Sequence, residues 1–488
     1  MGDLGGFAKS QPDKPAWIMA GSGAMITFGE LETRSRAMSV LLADAGLGRG
    51  DTLAVVAENR LEWAEIVWAA ARTGIDIAPI NYHLGPDEVR AMLAACAARA
   101  VVFSQSCWTT VETALSGLDT RIITWVIGGY EEQLAAAASR SAPREVLGGR
   151  VMFSSGTTGT PKALRHPGPA VHPRDAPPHL GEYTQRFALG SETVYLSPAP
   201  MYHTAPFRFT FAMTQLGATV VCMERFDPGS ALDAIGEYRV THAQFVPTML
   251  LRMAALPAER TSAVDVSSLT VAITGGAPCP PELKDRILSW WGPVLHELYG
   301  ASEGYGNTHI GPAEAQQRRG SVGRPVRGSV YVTDAAGLAL PAGAEGMVWF
   351  RGGSQAGDDE VRTVGDIGYV DDAGYLYLTG RGNQIIICGG VNIHPQAAED
   401  VLIVHPAVCD VVVVGKRDAE YGEIPVAYVV PRVVGPDAEI LADDLLAYCR
   451  DRLAHFKCPR EITFVPALPR GDNGKMYKRL LERFDHAL

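Results

Sequence analysis

The run Ser154-Ser155-Gly156-Thr157-Thr158-Gly159-Thr160-Pro161-Lys162 follows the apolar start Val151-Met152-Phe153. Glycines let backbone N–H groups curl around a phosphate, hydroxyls donate to its oxygens, and a lysine supplies a point charge. The segment therefore reads as a nucleotide-phosphate loop. It is not the Walker form, which needs Gly-Lys-Ser/Thr at the mouth of a helix; Pro161 stands between the last glycine and Lys162. A flexible linker of this composition would rarely follow a buried-looking strand and close on Pro-Lys.

Four further segments carry chemistry-bearing residues. Tyr299-Gly300-Ala301-Ser302-Glu303 follows a strand predicted over 294–298 and sets an aromatic face, a hydroxyl and a carboxylate side by side. Gly275-Gly276-Ala277-Pro278 ends another predicted strand, where small residues let backbone approach a flat ring. Thr363-Val364-Gly365-Asp366 offers a carboxylate, and Leu468-Pro469-Arg470-Gly471-Asp472-Asn473-Gly474-Lys475-Met476 presents a lysine in a glycine turn. A plain turn would explain any one of them; their order and spacing together do not fit chance.

Taken together, these segments resemble the adenylate-forming superfamily of acyl-CoA and aryl-CoA synthetases, peptide-synthetase adenylation domains and luciferase, and the likeness covers most of the chain. The resemblance implies that Ser154, Ser155, Gly156, Thr157, Thr158, Gly159 and Lys162 hold ATP phosphates. Tyr299 would stack on adenine against Gly275, Gly276 and Ala277, Ser302 would meet the α-phosphate, and Glu303 would help hold Mg²⁺, which prefers hard oxygen ligands. Asp366 would accept both ribose hydroxyls, a diol that suits the two oxygens of a carboxylate, with Arg381 nearby. Lys475 would bridge the substrate carboxylate and the α-phosphate, offsetting charge that gathers as carboxylate attacks phosphorus. Gln384 stands at the hinge position, usually Asp or Lys, and Gly389-Gly390 resembles the loop lining the pantetheine tunnel. His203, Phe207, Gly276, Gly300, Ala301 and Gly304 would surround the acid. Ser302 and Val364 replace a commoner threonine and glycine, and the segment from Phe350 to Thr363 is shorter than in many acyl-CoA synthetases.

These residues need a scaffold. From about 50 to 300, short β-branched runs alternate with helical patterns, which argues for helix-covered sheets with parallel strands, ligands lying outside the carboxyl ends of the strands. Glycine-rich short strands between 320 and 380 point to a β-rich subdomain. Beyond 381 comes a compact α+β pattern. The expectation is an α/β protein with a large N-terminal domain of mixed sheets, 1–380, and a small mobile C-terminal domain, 381–488.

At 488 residues, 47% hydrophobic and 20% charged, the chain has material for more than one core. A formal charge of -11 without a basic stretch argues against nucleic acid as partner. Eight scattered cysteines, never in Cys-x-x-Cys, read as reduced thiols of a cytoplasmic protein. No apolar run approaches the roughly 20 residues of a membrane span. The reading that follows is an ATP-dependent carboxylic acid:CoA ligase using ATP, Mg²⁺ and coenzyme A. An acyl carrier protein as acceptor is the enzymatic alternative, and a non-catalytic nucleotide- or acyl-binding protein the alternative of another class; a homodimer is left open. No Asp or Glu occurs between Thr193 and Met223, where an amino-acid substrate would need a partner for its ammonium. The expected acid is instead hydrophobic and bulky, lined by Tyr202, Phe207, Phe209, Phe211 and Met213, with His203 at the carboxylate end. Arg208 is expected either to meet a second acidic group or to face solvent.

Overall fold

The computed structural model describes residues 4–118, 121–154, 162–176, 180–300, 304–352, 361–363, 365–388, 391–418, 421–433, 438–471, 476 and 481. Its contacts divide the chain into two compact units, one of Met1–Phe245 with Ala255–Ala272 and one of Val246–Ala254 with Ile273–Leu488.

In the first unit a six-stranded sheet runs in the order Ile123–Val126, Ala98–Phe103, Thr52–Val56, Asp76–Ile80, Arg150–Ser154, Lys162–His166. The first five are parallel. Every residue of Thr52–Val56 and of Asp76–Ile80 is buried, the signature of strands covered on both faces. The helix Trp63–Arg72, buried at every position, crosses between them. The sixth strand breaks the pattern: Lys162–His166 returns antiparallel against Arg150–Ser154. The phosphate-loop segment thus connects a hairpin at the sheet edge, and Lys162 belongs to a strand. A second sheet of this unit carries Met25–Thr27, Pro15–Met19, Thr219–Cys222, Val194–Ser197 and His242–Phe245 side by side.

Antiparallel strands dominate the second unit. Leu295–Gly300, Asn307–Ile310, Ser321–Pro325, Leu376–Arg381, Asp366–Val370, Gly346–Arg351 and Ser329–Thr333 neighbour one another in that order. The expected strand 294–298 extends to Gly300 because Tyr299 and Gly300 pair with Thr308 and Asn307. Further on, Val391–Ile393, Ile386–Cys388, Gly422–Pro431 and Val408–Asp418 form an antiparallel sheet, joined by the parallel strand Glu461–Phe464. Under it, Leu402, Val411, Val413, Val426, Val429, Leu445 and Cys449 form a cluster of their own. The fold is mixed α/β, as the alternation of patterns predicts.

All eight cysteines are free thiols and only Cys409 is exposed. No helix among the described residues is long and apolar enough to cross a bilayer.

Candidate active site

The hairpin that carries the phosphate-loop segment is held from below. Asp76, buried at the start of its strand, accepts from Gly149 N at 3.0 Å and from Arg165 Nη1 at 3.0 Å. Ser154 and Lys162 stand opposite each other in register, so the segment between them leaves and re-enters the sheet at one point. Lys162 is exposed. Ser155, Gly156, Thr157, Thr158 and Gly159 lie outside the described residues, as do Ala301, Ser302, Glu303, Gly389, Gly390 and Lys475.

Two residues expected to hold a nucleoside meet directly. Tyr299, on Leu295–Gly300, donates its hydroxyl to Asp366 Oδ2 at 2.5 Å. The tyrosine ring also packs at 6.0 Å against Phe350. Asp366 is 4% exposed, and the turn before it is built from its own sequence. Thr363 donates its hydroxyl to Val348 O at 2.7 Å and its Oγ1 accepts from Gly365 N at 3.0 Å. Gly365 takes φ +83°, a conformation that favours glycine, and its carbonyl accepts from Gly382 N at 2.9 Å. In register, Asp366 faces Arg381 across the strand pair. Gln384 closes the short 3₁₀ turn Gly382–Gln384 that follows.

The glycines divide by cause. A Cβ on Gly275 would lie 2.4 Å from Leu298 O, one on Gly300 2.1 Å from Asn307 Oδ1, and one on Gly306 2.4 Å from the Phe350 ring. These three are small because the protein itself fills the space. Gly276 differs: φ is +81° and, among the described residues, nothing lies within 4 Å of its missing side chain. Room for a ligand therefore rests on Gly276 and the half-buried Ala277 rather than on Gly300. Gly304 takes φ +73°.

The aromatic stretch after His203 forms the helix Thr204–Gln215, with His203 as its N-cap residue. Phe207 is 1% exposed and stacks on Phe211, which packs against Trp68 at 5.1 Å, while Phe209 stacks on Tyr195. Most of the expected aromatic wall is thus core of the first unit. The side of the helix start that stays partly open carries Thr204, Ala205 and Arg208.

Sequence reasoning passed over Asn59. Its buried side-chain amide donates to Ala199 O at 3.1 Å and Met223 O at 2.9 Å, and its Oδ1 accepts from Met201 N at 2.8 Å. It clamps the backbone that leads into His203. Nothing local marks it, because its partners lie 140 residues and more away. Near the C-terminus Arg470 makes a bidentate pair with Asp410, at 2.6 and 2.8 Å, and donates to Val411 O at 3.0 Å. Arg470 and Met476 form an isolated antiparallel bridge. Arg470 and Met476, which flank the segment bearing Lys475, are thus held side by side.

In the first unit a cavity of about 710 Å³ opens between Met19, Met25, Arg34, Asn59, Leu61 and Glu224. Of the residues discussed above only Asn59 borders it. Its carboxylates are already engaged: Glu224 accepts from Gly21 N and Ser22 N, and Glu65 pairs with Arg34 and Tyr130. Among the described residues no cluster of His, Cys, Asp and Glu could hold a metal ion.

Residues 6–357 match the AMP-binding enzyme family, and residues 397–475 match the AMP-binding enzyme C-terminal domain. The sulfoacetate–CoA ligase of Cupriavidus necator is 30% identical over 98% of this chain and 96% of its own. A feruloyl-CoA synthase of an Amycolatopsis species is 30% identical over 94% of each chain. Among solved structures, ATP-bound MatB from Rhodopseudomonas palustris superimposes with a TM-score of 0.81 at 26% identity, covering 100% of both chains.

Proposed function

The chain belongs to the AMP-binding enzyme family, and we propose that it is an AMP-forming carboxylic acid:CoA ligase acting on a hydrophobic, bulky acid of alicyclic, polycyclic or aryl type. In the first step the acid carboxylate attacks the α-phosphorus of ATP, giving acyl-adenylate and pyrophosphate. In the second, the CoA thiol attacks the acyl carbon and AMP leaves. Adenylation turns a poor acyl donor into a mixed anhydride with a good leaving group.

The observation that carries the nucleotide half is the Tyr299–Asp366 contact on the Thr363–Gly365 turn. An aromatic face and a carboxylate acceptor are joined there, the chemistry that a nucleoside needs. Asp366 is the carboxylate assigned to the ribose hydroxyls, and its Oδ2 orients the ring. Lys162 and the hydroxyls of the hairpin connection take the phosphates; Mg²⁺, assigned to Glu303, neutralises phosphate charge when bound. The small domain, 381–488, presents Lys475 for adenylation and the Gly389-Gly390 loop for thioester formation, turning about Gln384.

The acid is read from this chain, since relatives of equal identity carry names as different as sulfoacetate and ferulate. The open side of Gly276 and the aromatic surroundings of His203 favour a wide, apolar body. A carrier-protein phosphopantetheine is the alternative acceptor. ATP–pyrophosphate exchange over a panel of acids, followed by mass spectrometry of the CoA product, tests the proposal. Exchange with bulky aryl or alicyclic acids and formation of their CoA thioesters is the expected result; turnover confined to acetate or amino acids would overturn the substrate reading.

A further inference from the structure

Arg208 is a charge that the adenylation chemistry does not use. It lies on the helix Thr204–Gln215, one turn beyond Thr204 and next to Phe207 in sequence. Residues four apart share a helix face, so Arg208 and Thr204 lie on the same side, the side that is partly open while Phe207, Phe209 and Phe211 turn into the core. Its Nε is buried and meets no hydrogen-bond acceptor. Among the described residues no hydrogen bond or ion pair reaches its guanidinium.

A second guanidinium, Arg150, stands close enough to repel it. Burial holds the Arg208 guanidinium below its usual range, with only Tyr183 and the exposed Glu182 on Gly181–Arg186 opposing the effect. Burial and the repulsion from Arg208 bring Arg150 down to about 9. Leaving a buried charge without a partner is costly, and a helix face that only completed the core would carry an apolar side chain here. A guanidinium is matched by an oxyanion, which it binds through two parallel N–H donors.

We propose that the acid substrate carries a second anionic group, a carboxylate or a sulfonate, and that Arg208 is the residue that selects it. The proposal rests on the assignment of His203 to the acid site and deepens the ligase reading. His203 caps the helix where the reacting carboxylate is placed, and Arg208 lies about one helical turn farther along, ~6 Å of rise from Thr204. The second anion therefore sits at the far end of an acid whose apolar body lies between.

The test compares wild type and variants on matched acids in pyrophosphate exchange: ω-carboxylic acids of four to eight carbons, their ω-sulfonate analogues, and the corresponding methyl-ended monoacids, with aryl diacids beside aryl monoacids. In wild type, kcat/KM for the dianionic acids is expected to exceed that of their monoacid partners at least tenfold. The carboxylate and sulfonate arms show which oxyanion is preferred. Arg208→Gln is expected to lower the dianion-to-monoacid ratio at least tenfold, through KM for the dianion, and Arg208→Lys to recover part of it. Wild-type rates that ignore the second charge would overturn the proposal without any variant, while leaving the ligase reading standing. An unchanged ratio in a folded Arg208→Gln protein would overturn the role of Arg208. Exchange with no acid of either kind would remove the ligase reading and this inference with it.

Discussion

The Tyr299 hydroxyl donates to Asp366 Oδ2 at 2.5 Å across 67 residues of sequence. A hydrogen bond to a charged partner contributes about 1.5–3 kcal/mol where it is formed, and here it fixes the plane of the aromatic ring. Tyr299→Phe keeps the ring and loses that tether, so KM for ATP is expected to rise roughly 3- to 10-fold with kcat little changed. Asp366→Asn removes the charged acceptor as well, and a larger rise, about 10-fold or more, is expected. Initial rates of pyrophosphate exchange against ATP concentration measure both. Equal, negligible effects would remove the pair from the nucleotide site.

Adenylation and thioester formation should separate at the C-terminal turn. Lys475→Ala is expected to cripple the first step and spare CoA thioester formation from supplied acyl-adenylate, since the lysine's charge is needed only as pentavalent phosphorus forms. Asp410 is assigned as a positioning residue, acting on the segment before Lys475 through its bidentate pair with Arg470. Asp410→Asn should slow adenylation about tenfold with the same sparing of the second step. Loss of both half-reactions in equal measure would contradict the alternating use of the small domain.

Asn59 joins three backbone groups, Ala199 O, Met223 O and Met201 N. Asn59→Leu leaves all three buried and unsatisfied, at about 1–3 kcal/mol for a group so left. A fall in Tm of roughly 5–10 °C is expected. Because the clamp leads to His203, KM for the acid should rise more than KM for ATP. A variant that melts with wild type would show that these backbone groups find other partners.

Burial pushes the Asp400 carboxyl, on the helix Pro395–Ile403, up to about 7. Glu399 and Glu282 act in the same direction, while the hydrogen bond from Gln396 and the charge of Lys284 oppose it. Below about pH 4 both folded and unfolded chains hold this proton, and the group is neutral in its effect. From there to about 7 the folded chain keeps a proton that the unfolded chain releases, so stability falls as pH rises, and the full cost is present above 7. Asp400→Asn removes that cost. Its gain in Tm over wild type is expected to be larger at pH 8 than at pH 5, by roughly 5 °C. Calorimetry at the two pH values checks this; a gap that does not change with pH would mean that the carboxyl does not titrate in this range.

Much of the chain could be read from the sequence because its signals are local. Alternating β-branched and helical runs specify strands buried on both faces and the helices between them, as at Thr52–Val56 and Trp63–Arg72. The Thr363–Gly365–Asp366 turn closes on neighbouring backbone, and Gly365 needs only its own φ. Tertiary structure decided the rest, because the deciding partners are far apart in sequence. Gly300 and Gly306 are small to admit Asn307 and Phe350, not a ligand. Asn59 is an ordinary polar residue until the fold brings Met201 and Met223 to it. The sequence marks an aromatic stretch at 202–213 but not the helix it forms or which rings enter the core, and that choice leaves Arg208 on the open side. A sequence specifies what each residue can do; burial and long-range contact determine which groups are already satisfied and which are left to bind something else.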